Sequence, residues 1–450
     1  MATPPSPYKG RDSQKGKVSL KENRTFVLWL LTLVYLFNFI DRQVIGILSP
    51  FIKEDLGLSD GQLGWLKGFA FALLYTLVGI PIAWLADRYS RVKIISVSLG
   101  VWSFFTALTG MAGSFAAILL ARFGVGIGEA GGSPPSHSII SDLYPKEKRA
   151  SALGIYSLGI PFGVAFSFIA VGLLMGWLGW RGTLYLLGAL GVGLSFIVGL
   201  MIKEPVRGAM EGKPQHIEPA SLGHSIATLM KIPSWWAMCM GIAWVSFGSY
   251  AIANWGIDYA LRLDPSYHIS TGNGKFQRLM FALGIAHLIG YGGGTYLGAL
   301  LTEKLARRHT GFYGFVPAVA LILGVPAAIG CFWVGSVPSF VILLAIYLTC
   351  SGVYLGPSFS VAQTLAPVNM RAMSTALFFL IFNIIALGGG PTYVGLMSEY
   401  LGQAYGELHG LRLAMSSLII PFIISIFAFF IAGRWLPKDW ERAEARQAEL

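Results

Sequence analysis

Four ionisable residues stand in stretches of sequence that are otherwise apolar. Asp41 and Arg42 follow one another within Phe26–Leu48, and Arg122 and Glu129 lie seven residues apart in the run 115–141. Seven residues is two helical turns, so the second pair shares one face. An ionisable residue near a helix centre costs about 2.5–3.5 kcal/mol to insert, against about −0.3 to −0.6 for each apolar residue. Fifteen Leu, Ile, Val and Phe residues between Phe26 and Leu48 offset Asp41 and Arg42 with little margin. Side chains kept at that cost are usually turned away from lipid and functional. A desolvated guanidinium binds anions, and a desolvated carboxylate exchanges a proton. The competing reading is a set of ion pairs that only brace neighbouring helices.

Enzymatic chemistry finds little support. No HExxH, CxxC or GxSxG motif is present, and Cys239, Cys331 and Cys350 all fall in apolar runs without metal-ligand spacing. Gly126, Gly128 and Gly131 have the spacing of a dinucleotide fingerprint, but that motif needs a preceding strand and a helix N-terminus. These glycines lie inside a hydrophobic run, and the Gly124, Gly128, Gly132 series fits close helix packing instead. Cofactors and metals are therefore not expected.

The elements that hold the four charges must be membrane helices. The chain of 450 residues is 54% hydrophobic and 12% charged, with mean hydropathy +0.63, whereas soluble proteins carry about 25% charged residues. Twelve apolar stretches are long enough to cross a bilayer: 26–49, 61–86, 94–113, 115–141, 151–177, 181–202, 235–261, 278–302, 312–334, 338–366, 372–398 and 409–434. A cleavable leader is not expected, because a polar tail precedes a first span too long for a signal core.

The net charge of +11 could suggest nucleic acid, but its placement is topological. Of 33 basic residues, 24 fall on one side of the twelve spans and 7, including Lys53, Lys67 and Arg262, on the other; Arg42 and Arg122 lie within spans. By the positive-inside rule both termini are expected in the cytoplasm, and the expected location is the plasma membrane, in a bacterium the inner membrane. Nucleic acid is not an expected partner. The expected organisation is a basic tail over 1–25, a six-helix bundle over 26–202, a linker over 203–234, a second six-helix bundle over 235–434 and a tail over 435–450.

The two halves repeat one another. Asp87, Arg88 and Arg91 at the end of the second span recur 216 residues on as Glu303, Lys304 and Arg307. Pro135, Ser136, Ser138, Leu143, Pro145 and Arg149 recur 222 residues on as Pro357, Ser358, Ser360, Leu365, Pro367 and Arg371. Polar residues matching in register point to two homologous bundles related along the membrane normal, as in parallel transporter repeats.

With that repeat, Leu85, Asp87, Arg88, Arg91 and Lys93 resemble the signature loop of the major facilitator superfamily, with Ala83 and Ser90 standing where that signature has glycine. The fold class implied is an all-α membrane protein of twelve helices in two pseudo-symmetric bundles. Asn38, Asp41 and Arg42 in the first helix and Gly128, Glu129 and Ala130 in the fourth resemble the Spinster family, although anion:cation symporters share a similar first helix. The resemblance implies transport of amphipathic lipids such as sphingosine-1-phosphate or lysophospholipids. It also places the first, fourth, seventh and tenth helices around the cavity and gives Asp87, Arg88 and Arg91, with their second copies, a role in conformational switching. Gly159, Pro161 and Gly163 do not match the antiporter motif of that helix.

Asp41 and Arg122 each lie roughly 10–12 Å from the same membrane face at 1.5 Å per residue, so they can meet if their helices are neighbours. Protonation of Asp41 is then expected to loosen its attraction to Arg122 or Arg42, and Glu129 is a second candidate proton site. The second half is expected to lack a buried Arg–carboxylate cluster and to offer Tyr250, Asn254, Tyr259, His287, Tyr291 and Tyr354 instead, which with Asn38 of the first helix are the expected cavity residues. The leading expectation is a proton-coupled secondary transporter of an anionic lipid. The alternatives are the same machine carrying a small organic anion or sugar acid and, more remotely, a membrane enzyme. Expected partners are the substrate, protons and membrane lipids, around a monomer.

Overall fold

The structure, a computed structural model, describes residues 23–207, 210, 222–367 and 370–448. Most of the expected N-terminal tail and of the 203–234 linker lies outside the described residues, as does the side chain of Asp87. No strand occurs among the described residues.

The twelve expected spans are present. The first is Arg24–Leu56, the third Arg91–Met111, the seventh Pro233–Leu263 and the ninth Phe312–Gly330. Several others are interrupted. The second is Asp60–Lys67 followed by Phe69–Arg88, and the fourth is Phe115–Glu129 followed by Ser133–Leu143. The fifth starts as Lys146–Ser157 and continues into the long helix Gly159–Met201, where Gly179 at φ 62° turns the chain back as the sixth. Only glycine adopts that conformation without strain.

In the second half, π-helical turns at Ala286–Tyr291 and Asn383–Gly389 interrupt the eighth span (Lys275–Ala306) and the eleventh (Arg371–Tyr405). The tenth is Val337–Gly352 with Leu355–Thr364, and the twelfth is Glu407–Ser416 with Ile419–Ala448. The twelfth helix thus runs on through the segment expected as a C-terminal tail.

The sequence repeat has a structural counterpart. The fourth span resumes at Ser133 after its break and the tenth at Leu355, positions 222 residues apart. Both bundles therefore split the same helix at the same place. We call the side on which the first helix begins and the twelfth ends the tail side, and the opposite one the far side.

Glycine sets the spacing around the charged helices. A Cβ on Gly128 would lie 2.5 Å from the backbone nitrogen of Trp102, one on Gly126 would lie 2.8 Å from the Phe71 carbonyl, and one on Gly124 would strike the Phe105 ring. The glycine series thus seats the fourth helix against the second and third, as the packing reading holds. Gly128→Val is expected to cost about 1–3 kcal/mol through overpacking, seen as a lower melting temperature in detergent. Gly154→Val, at a position with no atom within 4 Å of the added Cβ, should leave it unchanged. Cys239 and Cys331 are buried as free thiols, and Cys350 is partly buried.

Candidate functional site

The first and fourth helices bring all four charges of the first bundle together. The Arg42 Nε donates to Glu129 Oε2 at 2.7 Å, and Glu129 is buried. The Arg42 guanidinium also lies over the rings of Tyr75 at 4.5 Å, Phe39 at 5.2 Å and Phe71 at 5.3 Å. Asn38 is buried beside Glu129, with its Oδ1 unpartnered.

Of the two cations expected for Asp41, Arg42 binds Glu129 instead, while Arg122 remains an electrostatic neighbour. Asp41 is 3% exposed and has no cation within 4 Å among the described residues; Trp102 and Thr106 of the third helix lie against it, with Glu129 and Arg122 as its electrostatic neighbours. Arg42 takes the direct bond to Glu129, while Asp41, about 100° round the helix, lies against Trp102 and Thr106 of the third helix.

Arg122 is the residue left over. It is 3% exposed, its Nε has no partner, and it makes no ion pair among the described residues. Its guanidinium lies 5.2 Å from the Phe71 ring centroid. Buried guanidinium groups are normally paired, because an unpaired buried charge is costly.

The polar groups expected from the second bundle divide into those near this cluster and those elsewhere. Tyr250 of the seventh helix faces Arg42 and packs against the cores of both bundles. Tyr354 accepts a hydrogen bond from Ser246 at 2.8 Å and meets Tyr291, and Ser249 bonds Tyr347 at 2.7 Å. Asn254 donates to the Tyr250 carbonyl at 2.9 Å and sits where the first and seventh helices cross, close enough that a Cβ on Gly46 would lie 2.7 Å from its Oδ1.

Two residues do not join them. Tyr259 is fully buried within the second bundle, its hydroxyl donating to the Phe332 carbonyl at 2.8 Å, so it is a core residue and lines no cavity with Tyr250. His287 stacks on Phe168 of the fifth helix and borders a separate apolar void of about 10 Å³ with Ile252, Ile257, Leu283 and Leu344.

The signature residues separate as well. Arg91 is buried and binds Asp142, Glu204 at 2.8 Å, Ser138 at 2.8 Å and the Pro205 carbonyl at 2.9 Å, fastening the third, fourth and sixth helices of the first bundle. Arg88 is exposed, over the Trp84 ring at 3.8 Å. Glu303 and Arg307 form an exposed pair at 3.2 Å one turn apart, and Lys304 is exposed beside them. Lysine cannot reproduce the four-way contact of Arg91. Arg91→Lys is expected to lower stability by about 1–3 kcal/mol, measured as a fall in melting temperature that Arg88→Lys does not share.

The second bundle does carry buried charge at the far side, where Asp258 and Arg262 pair with residues of the first bundle. Asp258 of the seventh helix is buried and bonded to Lys67 of the second at 2.7 Å and to Ser49 of the first at 3.1 Å. Beyond it, Asp60 takes both Arg262 nitrogens at 2.6 and 2.8 Å, Ser398 at 2.6 Å and Lys53 at 3.0 Å. Glu399 accepts from Ser59 Oγ and Gly61 N, both at 2.7 Å, at the start of the helix Asp60–Lys67. These contacts join the two bundles and close the far side. The signal in the sequence was an acid, Asp258, inside an apolar span.

Two pseudo-symmetric helical bundles, closed at one end and holding desolvated charges near their junction, define a membrane carrier of solutes. Residues 31–391 match the family model of the Major Facilitator Superfamily. A bacterial homologue of the human lysosomal transporter Spinster, solved in an inward-facing and unoccupied conformation, is 31% identical, with TM-score 0.82 over 92% of this chain and 98% of that one. An MFS-type efflux pump of Mycolicibacterium smegmatis is 28% identical over 87% of this chain and 89% of its own. Protein spinster homolog 1 of Xenopus tropicalis is 26% identical over 95% and 84%. The chain belongs to the Major Facilitator Superfamily and, within it, to the Spinster family. It is a transporter, not an enzyme.

Proposed function

We propose that this protein is a proton-coupled secondary transporter of an amphipathic anion, of the class of sphingosine-1-phosphate or a lysophospholipid, working by alternating access from a plasma membrane with both termini in the cytoplasm. The observation that carries this reading is Arg122, buried among the gathered charges with no ion pair within 4 Å among the described residues. A phosphate or carboxylate headgroup supplies the missing partner through charge-assisted hydrogen bonds. The aromatic groups of Phe71, Tyr75, Tyr250 and Phe382 around the cluster suit an apolar tail.

Charge balance links the proton to the anion. With all four groups ionised, Asp41, Arg42, Arg122 and Glu129 sum to zero, and Arg42 and Glu129 satisfy one another. An anion that engages Arg122 leaves the buried Asp41 carboxylate uncompensated, and one proton on Asp41 restores balance. Anion and proton therefore bind cooperatively, and by linkage each raises the affinity of the other. The second reading, a small organic anion or sugar acid, uses the same Arg122 contact but leaves the aromatic groups without a role.

Exchange of labelled sphingosine-1-phosphate, lysophospholipid and a sugar acid across proteoliposomes, measured side by side, tests the substrate class. Exchange of the lipids is expected. Exchange of the sugar acid alone would overturn the lipid assignment while leaving the carrier intact.

A further inference from the structure

We propose that Lys67 and Asp258 form a two-state latch that makes closure of the far side all-or-none. The proposal rests on alternating access but on no choice of solute. The two residues come from opposite bundles, so the pair must separate whenever the far side opens.

Both side chains are essentially without solvent, at 0% and 1% exposure. The Lys67 ammonium also lies 3.6 Å from the centre of the Trp255 ring, and Trp255 donates to the Pro391 carbonyl at 2.9 Å, so seventh and eleventh helices are held at the same level. Lys67 ends its helix at Gly68, where the second span breaks. There the Thr392 hydroxyl lies 2.9 Å from the Gly388 carbonyl of its own helix and 3.0 Å from the Gly64 carbonyl, which share its one proton, and it accepts from Phe69 N at 3.3 Å. The rim is mixed: Asp60, 6% exposed, also binds Arg262 across the bundles, whereas Lys53 pairs with Glu407, which is 69% exposed, and exposed pairs contribute little.

The physical argument concerns what lies between open and closed. Paired, the two charges satisfy each other in a dry site; fully separated, both are hydrated. A partial opening breaks the pair before water reaches it, and a buried charge without its partner is strongly unfavourable. The intermediate is therefore disfavoured and the gate behaves as two-state. The charged groups facing the pair are Asp60 on the helix of Lys67 and Arg262 on that of Asp258, and these two satisfy each other. Ser49 of the first helix also bonds Asp258, whose Oδ1 has no hydrogen-bond partner among the described residues.

The prediction separates a latch from ordinary packing. Removing one charge strands the other, so Lys67→Met and Asp258→Asn should each shift the population toward the open far side. Removing both leaves no stranded charge, and the double variant should stay closed.

The test is a spin-label distance measurement between Gly113→Cys, in the exposed loop after the third helix, and Gln403→Cys, exposed near the end of the eleventh, with the three native cysteines replaced. The single variants are expected to raise the ratio of long to short distances about tenfold or more, and the double variant to return within about threefold of the parent. Ser49→Ala removes only one hydrogen bond and should give a smaller shift in the same direction, which keeps the test available if a charge-deleted variant does not fold. Single variants that keep the parent distribution, or a double variant as open as the singles, would overturn the latch. Loss of transport with distances as expected would fault the proposed substrate and coupling instead.

Discussion

Arg122→Gln is expected to abolish accumulation of the anionic solute and to weaken its binding by on the order of a hundredfold, while the protein folds as before. Hydrogen bonds to a charged group contribute about 1.5–3 kcal/mol each, and each 1.4 kcal/mol is tenfold in affinity. Arg122 makes no ion pair within 4 Å among the described residues, so its removal breaks no direct contact, and a proton taken up by Asp41 offsets the charge that is lost. The melting temperature should hold steady or rise. That separates Arg122 from Arg42, whose loss leaves Glu129 buried and unpaired. Arg122→Lys keeps the charge but loses the planar fork, and should recover part of the binding. Equilibrium binding of a labelled lysophospholipid, with melting temperature recorded on the same samples, checks this. Undiminished binding by Arg122→Gln would make Arg122 a structural residue.

Asp41→Asn is expected to uncouple the carrier. With a neutral group fixed at position 41, charge balance is met without a proton. Downhill exchange of the solute should therefore persist, while accumulation driven by a pH gradient falls to background. Asp41 suits this role because it is buried with no cation within 4 Å among the described residues, so Arg122 balances its charge without holding it in a direct pair. Glu129→Gln is the informative comparison, since it also breaks the 2.7 Å bond to Arg42 and should cost stability as well as coupling. Full proton dependence in Asp41→Asn would remove Asp41 from the coupling step, and unchanged pH dependence in Glu129→Gln would leave Glu129 a structural partner of Arg42.

The elements were legible where hydrophobicity alone decides them. Twelve spans and an internal repeat follow from run length and from polar residues in register, and the repeat extends to the matched breaks at Ser133 and Leu355. The breaks within the second, eighth and eleventh spans were not legible, because an apolar run continues through a π-turn or a kinked glycine without changing composition.

At the site, residue types were legible and pairings were not. Asp41 and Arg42 are neighbours in sequence but face different directions, and only the helix rotation shows that Arg42 reaches Glu129. Tyr259 could have been excluded from the cavity by arithmetic. Nine residues separate it from Tyr250, and nine residues at 100° each is about half a turn, which places them on opposite faces. Tyr250 and Asn254, four apart, share a face. Lys67, Lys53 and Arg262 were absorbed into the count of far-side positive charge, which treats every basic residue as a flank. The acids opposite them, Asp258 and Asp60, carry no meaning in that rule and marked a structure the rule does not describe.

The most direct test of the account is uptake of labelled lysophospholipid into proteoliposomes under an imposed pH gradient, with a small organic acid in parallel and Arg122→Gln as the inactive control. The account predicts accumulation of the lipid that collapses when the gradient is dissipated and is absent in the variant. Lipid uptake indifferent to the gradient, or accumulation of the small acid alone, would contradict it.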